Sequence, residues 1–441
     1  MKAVKAQYEQ FPYPPRDPRD ESGRLVETQG EFLDIVNHHC FGGAQAFGAD
    51  FRALAAGCGT GDAAVFLAEQ LRETGGEVVA LDFSEASLGI ARARAEARGL
   101  RNLRFIRAPL QDIPSLGLGR FDFVNCTGVL HHLPDPDAGM RILAGAMREG
   151  AALHCMLYAA LGRAPIYAMQ ALLRLVAGPE LPPEERVRRA RRVIEELPED
   201  NPFRRDFANK GHDIVAFGDA GLFDLLLHAQ DRAYTVPQIY ALLEQAGLHL
   251  VIFDTYGGGG ARAYEPATYL RDPLLLEELA RRPARERHAA AELLAGNLST
   301  HAFFAAPRPP TPLSPEDPAL IPYLPAAWVG PGAHRELHAQ MARQLGRPMR
   351  VSLRGDSAIG FTPNPVSTAL MNCLDGETTV GEIIDRVARE ILAAGGSAAV
   401  RKEFLALFRA FNAFDWILLR RPGSRRMPTS AEIQDRMRAG R

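Results

Sequence analysis

Residues 54–64, LAAGCGTGDAA, decide how the chain reads. Gly57, Gly59 and Gly61 stand between an apolar run, FRALAA (51–56), and a helical pattern, DAAVFLAEQLRET (62–74). Glycines at such a junction let the backbone turn sharply and approach a ligand, and the helix behind it offers free N–H groups to negative charge. A nucleotide-like ligand is implied. The spacing is G-x-G-x-G, and Asp62 stands where the dinucleotide fingerprint requires its third glycine, which counts against NAD or FAD. The next apolar run, EVVALD (77–82), ends in Asp82, 21 residues beyond Gly61, where a carboxylate can take both hydroxyls of a ribose.

Working outward, Ser84 stands at a helix N-cap position, EASLGIARARAEAR (85–98) carries the helical period, and Gly99 ends it. LRFIRA (103–108), FDFVNC (121–126) and AALHCMLYA (151–159) read as three more buried strands. Strands alternating with helices predict an α/β fold, a doubly wound, Rossmann-like, mostly parallel sheet covered on both faces. Residues from about 162 to 231 are helical throughout and read as an insertion, after which TVPQIYALLEQAGLHLVIFDTY (235–256) and LSTHAFFAAP (298–307) resume the helix and strand order. The loop GGGG (257–260) lies between those two strands.

This predicts an arm over residues 1–50, a domain over 51–307 with the insertion inside it, an extended proline-rich linker over 308–335, and a smaller α+β domain over 336–441. In that last domain Thr379 and Glu382 form a capping box. The arm opens MKAVKAQYEQFPYPPRDP, with Tyr8, Phe11 and Tyr13 among four prolines. A free tail is poor in aromatics, so this one is expected to pack on something.

Composition narrows the function. With 51 Lys+Arg against 53 Asp+Glu there is no electrostatic footprint for nucleic acid. The arginines from Arg186 to Arg192 are interleaved with glutamates and read as a solvated helix face. Five scattered cysteines suggest neither a disulfide framework nor a zinc site, and they fit a reducing, cytoplasmic setting. His38 and His39, beside Cys40, are expected on a helix surface rather than on a metal. No apolar run reaches membrane-spanning length.

The segments LAAGCGTG, VVALDFSEASLGIARARA and FDFVNCTGVLHHLPDP resemble the successive motifs of the class I S-adenosylmethionine-dependent methyltransferases, over about residues 50–160 and more loosely to 307. The resemblance implies S-adenosylmethionine as cofactor. Gly57, Gly59 and Gly61 would line its methionine end, Asp82 would hold the ribose, and Phe83 would lie against adenine. Cys126, Thr127 and Gly128 would border it from the fourth strand, and His131 would stand near the methyl path. The arm resembles the leader of some bacterial members, which implies that Tyr8 and Tyr13 form a lid. Two positions depart from the family: Ala55 stands where an acidic residue is common, and Pro109 where an Asp meets adenine, with Asp112 either a substitute or a turn residue. The region after Pro307 resembles small winged-helix, peptide-binding domains associated with pyrroloquinoline-quinone and ribosomal-peptide maturation; a packing or dimerisation unit is the other reading.

Methyl transfer is an in-line displacement that needs alignment and exclusion of water, and no metal. A nitrogen or oxygen acceptor also sheds a proton, which His131, His154 or Tyr158, all near strand ends, are placed to take; each also reads as a hydrogen-bonding or shape residue. His228, Arg232 and Tyr234 mark an acceptor pocket or the start of the next helix. The expected function is methyl transfer to an unidentified small molecule, peptide or protein side chain. The alternatives are a cofactor-fold scaffold that binds a peptide and a nicotinamide-dependent oxidoreductase, which Asp62 disfavours.

Overall fold

The computed structural model describes residues 2–254, 261–327, 330, 332–352, 358–391 and 395–439. The glycine loop at 257–260 lies outside the described residues. Five parallel strands, β1 (Arg52–Ala56), β2 (Glu77–Asp82), β3 (Leu103–Arg107), β4 (Phe121–Thr127) and β5 (Met147–Ala159), stand where the apolar runs predicted them. With β6 (Ala233–Tyr234), β7 (His249–Phe253) and β8 (Thr300–Ala306) they form one sheet in the order β3-β2-β1-β4-β5-β8-β7, with β6 on β5. β8 runs antiparallel to both its neighbours. Along β1, Leu54 and Ala56 enter one core and Ala53 and Ala55 the other, so the sheet is buried on both faces.

The helices run in chain order from the arm. α1 (Lys2–Gln10) lies in the arm, α2 (Leu33–Cys40) precedes the sheet, and α3 (Asp62–Leu71), α4 (Glu85–Ala97) and α5 (Pro136–Gly145) join its strands. The insertion is α6 (Ala164–Val176), α7 (Pro183–Glu196), two single turns, α8 (Pro202–Arg205) and α9 (Phe207–Lys210), and α10 (His212–Leu226). It has its own core around Met169, Phe203 and Leu222, against which Phe11 of the arm packs. α11 (Val236–Gln245), α12 (Pro273–Ala280) and α13 (Ala284–Ala295) complete the domain. Among the described residues no helix is long and apolar enough to cross a membrane.

The proline-rich stretch 308–335, expected as an extended spacer, contains a strand, β9 (Ile321–Tyr323). The chain then forms α14 (Ala333–Arg343), the hairpin β10 (Met349–Ser352) and β11 (Ala358–Phe361), helices α15 (Pro365–Asn372), α16 (Val380–Glu390) and α17 (Ser397–Asn412), strand β12 (Leu418–Arg420) and α18 (Ser430–Ala439). β9 pairs with β12, so the supposed spacer is part of a packed unit. The capping box at Thr379 forms as expected. Tyr323, Leu418, Met427 and Ile433 enter the core on the α3 side of the main sheet, and the Asp34 carboxylate accepts the Met427 N–H at 3.0 Å. His38 and His39 are not on a free surface: His38 Nδ1 accepts the Leu419 N–H at 3.0 Å, and His39 Nε2 lies 2.7 Å from Asp415 Oδ1. They pin the C-terminal unit to α2.

A buried ionic chain fixes the arm. Glu21 is flanked by Arg94 at 2.5 Å and by Arg98, both guanidinium groups fully buried. Arg94 also reaches Asp62 at 2.6 Å, and Asp62 in turn takes Arg16 at 2.7 Å. Arg98 reaches Glu69 at 3.0 Å. Removing one member of such a network leaves buried charge without its partner. Glu21→Gln is expected to lower the unfolding free energy by about 3–5 kcal/mol, read by urea denaturation; a loss under about 1 kcal/mol, the worth of an exposed pair, would refute a stabilising role for the chain.

Candidate functional site

The turn after β1 is stitched to the end of β2, since the N–H groups of Gly57 and Cys58 both donate to Leu81 O, at 2.7 and 3.0 Å. Gly59 has φ +53°, and a Cβ there would stand 2.8 Å from the Tyr13 carbonyl oxygen. Gly61 has φ +98° and caps α3 against Ala91 of α4. Any side chain at these two positions would be strained and would push the arm or α4 away. Asp82 holds the turn from the other side: one carboxylate oxygen accepts the Gly59 N–H at 2.8 Å and the other accepts the Ser84 N–H at 2.8 Å. Burial pushes the Asp82 carboxyl above its ordinary value, against the pull of those donors.

Phe83 follows, half-buried, beside the arm. From β4, Thr127 Oγ1 accepts a bond from Asn125 at 2.9 Å, while the Cys126 side chain points into the core. Asp112 is exposed on a short turn after β3.

The arm lies across this cleft. Its Glu9 carboxylate accepts the N–H groups of Glu85 and Ala86, both at 3.0 Å, and so caps α4; these bonds outweigh its partial desolvation and hold Glu9 below its ordinary value. Ser84 Oγ donates to Tyr8 O at 3.2 Å, and Thr60 Oγ1 to Pro14 O at 2.7 Å. The Tyr8 ring meets Phe83 edge-on at 6.2 Å and His228 at 5.9 Å, and Tyr13 meets Phe217 of α10 at 5.5 Å. The two tyrosines singled out in the sequence therefore touch the turn residues on one side and the insertion on the other.

Beyond the arm is a buried polar cluster. His131 stacks on Tyr158 at 3.8 Å, the Arg163 guanidinium lies 3.4 Å from the centre of the same Tyr158 ring, and His132 stacks on His228 at 3.8 Å. Both ring nitrogens of His131, and Nε and Nη2 of Arg163, are buried with no hydrogen-bond partner among the described residues, Nη2 lying 3.9 Å from Asp231 Oδ2, so the cluster has polar capacity left for a ligand. Burial holds His132 down to about 4, and His131 and His228 well below their ordinary value.

Asp224 of α10, His132 and His228 bring three ligand-type atoms within 4.8 Å of one another, the one such group among the described residues. Their hydrogen bonds assign them otherwise. His228 Nδ1 accepts the Gln230 N–H at 3.1 Å, so neutral His228 carries its proton on Nε2 and offers no lone pair there to a metal. Nε2–H points at Tyr8 Oη, 3.3 Å away, and Tyr8 O–H donates to Asp224 Oδ1 at 2.9 Å. His132 Nδ1 donates to Gln230 O at 2.8 Å.

The other predicted residues lie apart from this group. Tyr234 packs in the core with the exposed Arg232 over its ring at 5.1 Å. His154 sits deeper on β5, its Nδ1 3.0 Å from Glu31 Oε1 and its Nε2 3.1 Å from Asp254 Oδ2. Asp224, Arg163, Glu9 and Glu31 were not singled out in the sequence. Asp224 had a signal, a lone carboxylate inside the apolar run FDLLLHA (223–229); the others follow no spacing rule.

The profile of the family described as "Methyltransferase domain" matches residues 54–153. An uncharacterised protein of Synechococcus sp. is 32% identical over 253 residues, 57% of this chain and 59% of that protein. A ubiquinone biosynthesis O-methyltransferase of Acinetobacter baylyi is 29% identical over 99 residues, 22% of this chain and 40% of the enzyme. The chain thus spans about half the length of these curated relatives. The structure of PKMT2 from Rickettsia typhi in complex with AdoHcy superposes with a TM-score of 0.61 over 93% of this chain and 78% of that one, at 12% identity, a likeness of fold alone. The glycine turn, the strand-end Asp82 and the strand order define a Rossmann-like cofactor domain. Within it, residues 54–153 carry the match to the methyltransferase-domain family.

The His154 site sets a pH dependence. Burial alone would lower its pKa, but the charges of Glu31 and Asp254 raise it to about 9, above the ordinary 6.5. A raised folded value means stabilisation that is complete below about pH 6.5 and lost as pH rises through about 9. Wild-type unfolding free energy is expected to fall across that window, and His154→Asn to flatten the fall. Denaturant curves at pH 6, 7.5 and 9 check this, and parallel pH profiles for the two proteins would contradict it.

Proposed function

We propose that the protein transfers the methyl group of S-adenosylmethionine to an acceptor held between the glycine turn and the insertion. The observation that carries this is the joint geometry of Gly59 and Asp82: a positive-φ turn with no room for a side chain, beside a carboxylate oriented by two backbone N–H groups. The cofactor fits these residues. Its ribose hydroxyls would bond to Asp82, its adenine would lie on Phe83, and its methionine end would meet the turn at Gly57, Gly59 and Gly61. When bound it supplies an electrophilic methyl group on a positively charged sulfur.

The chain's own part is to orient and enclose. The arm covers the turn, Tyr8 closes the gap between Phe83 and His228, and Arg163 and His131 offer the acceptor buried nitrogens with no hydrogen-bond partner among the described residues. The acceptor is a nitrogen or oxygen nucleophile whose proton must leave during transfer.

Calorimetry with S-adenosylhomocysteine tests this reading. Asp82→Ala is expected to lose about 1.5–3 kcal/mol of binding, roughly 10- to 150-fold in Kd, in a variant confirmed as folded by circular dichroism. Unchanged affinity would remove the cofactor assignment. Deleting residues 1–18 removes the Glu9 cap, Tyr8 and Arg16 together and is expected to weaken the same binding at least tenfold; full affinity in the truncated protein would show that the arm only packs.

A further inference from the structure

We propose that Asp224 is the proton acceptor for methyl transfer and that the proton reaches it through the hydroxyl of Tyr8. The inference rests on the methyl-transfer reading above and names the group within that site that completes the chemistry.

The direction of the hydrogen bonds carries it. The backbone N–H of Gln230 donates to His228 Nδ1, which leaves the remaining proton of the neutral ring on Nε2. That N–H faces Tyr8 Oη at 3.3 Å, so Tyr8 receives there and has its own proton free to donate, which it does, to Asp224 Oδ1 at 2.9 Å. The chain is polarised from Gln230 to Asp224, and its only proton-accepting end is the carboxylate. Tyr8 is the member open to the cleft: it is part-exposed, meets Phe83 edge-on, and hangs from the arm that roofs the glycine turn. A nucleophile lying between the turn and the insertion would pass it.

The other bases are less suited. His154 is already an imidazolium between two carboxylates. His228 has neither nitrogen available. His131 and His132 keep lone pairs, but burial makes them weak bases, and the same burial has the opposite sign for a carboxyl group, lifting Asp224 to about 7. The groups that face Asp224 are Tyr8 from α1, Tyr158 from β5, Arg163, Asp231, His132 and His228, with Asp213 on its own helix. Tyr8 and Arg163 favour its ionised form, and Asp213 and Asp231 oppose it. Burial therefore reverses the usual order of basicity, and the strongest uncommitted base of the pocket is the carboxylate.

In the step itself the acceptor's lone pair takes the methyl group while the displaced sulfur keeps the bonding pair. The acceptor's proton passes to Tyr8 Oη as Tyr8's own proton passes to Asp224 Oδ1, and solvent later removes it. Atoms and charge balance without a metal or any further reactant.

The test uses the full chain with Asp224→Asn and Tyr8→Phe. Infrared titration of the S-adenosylhomocysteine complex should show a buried carboxylic-acid band that disappears as pH rises through about 7, is absent in Asp224→Asn, and titrates at higher pH in Tyr8→Phe. With an acceptor from a panel of amines and hydroxyls that wild type methylates, kcat should fall about 100-fold or more in Asp224→Asn. The acid limb of the wild-type profile should vanish with it, and S-adenosylhomocysteine affinity should stay within threefold. Tyr8→Phe should lose kcat more than KM. Transfer in Asp224→Asn above a third of wild type, an unchanged acid limb, or a carboxyl that titrates below pH 5 overturns the proposal, as would stoichiometric Zn²⁺ binding that Asp224→Asn abolishes. Failure of wild type to bind S-adenosylhomocysteine sinks the methyl-transfer reading and this inference with it, whereas normal binding with an unaffected Asp224→Asn sinks only the inference.

Discussion

The carboxylate of Asp62 is shared between Arg16 of the arm and Arg94 of α4, and most of the site's architecture depends on that sharing. Asp62 opens α3 directly behind the glycine turn, so the residue that follows the turn also holds the strap that crosses it. Arg94 passes the constraint to Glu21, and Glu21 passes it to Arg98 and the far end of α3 at Glu69. Burying this many charges is expensive, and hydrophobic residues of similar volume would often be as stable. What the charges add is register. A salt-bridged chain accepts one placement of the arm, and that placement sets the Tyr13 carbonyl against Gly59 and Glu9 on the start of α4.

Four histidines of one domain show how far surroundings decide protonation. His154 lies between Glu31 and Asp254 and stays charged, while His131, His132 and His228 lie among rings and a guanidinium and stay neutral. Burial is nearly complete for all four and lowers each; at His154 the two flanking carboxylates outweigh it, and at the other three burial wins. The charged histidine sits within the main sheet on β5, and the neutral ones stack in the polar cluster with Tyr158.

The sheet was legible in the sequence because parallel strands buried on both faces appear as short, unbroken apolar runs, and all five early ones stood where those runs lay. The glycine turn and its stitching to Asp82 were legible for a related reason: a glycine turn and a strand-end acid are local and fixed in spacing. The far side was not. Asp224 meets Tyr8 across 216 residues, and Glu31 meets His154 across 123, distances at which no periodicity carries information. His154 and Tyr158 share a face of β5 and read alike as candidates, yet only Tyr158 borders the polar cluster. Asp62 was read as an argument against one ligand, and its positive role needed Arg16 and Arg94 to be in view. The prolines of 308–335 did mark a boundary, but their density hid a strand whose partner lies almost a hundred residues later.

Met427 and Ile433 pack beneath the first sheet with Phe32, Phe66 and Val78, and Met427 is tied to Asp34. The core that supports the glycine turn is therefore closed by residues made long after the turn itself. During synthesis, some 370 residues separate the emergence of β1 from the arrival of the side chains that finish covering its sheet. A nascent chain with a complete glycine turn would still expose an apolar face of its main sheet. Its exposure to aggregation, and its need for chaperones, would last until the C-terminal unit docks.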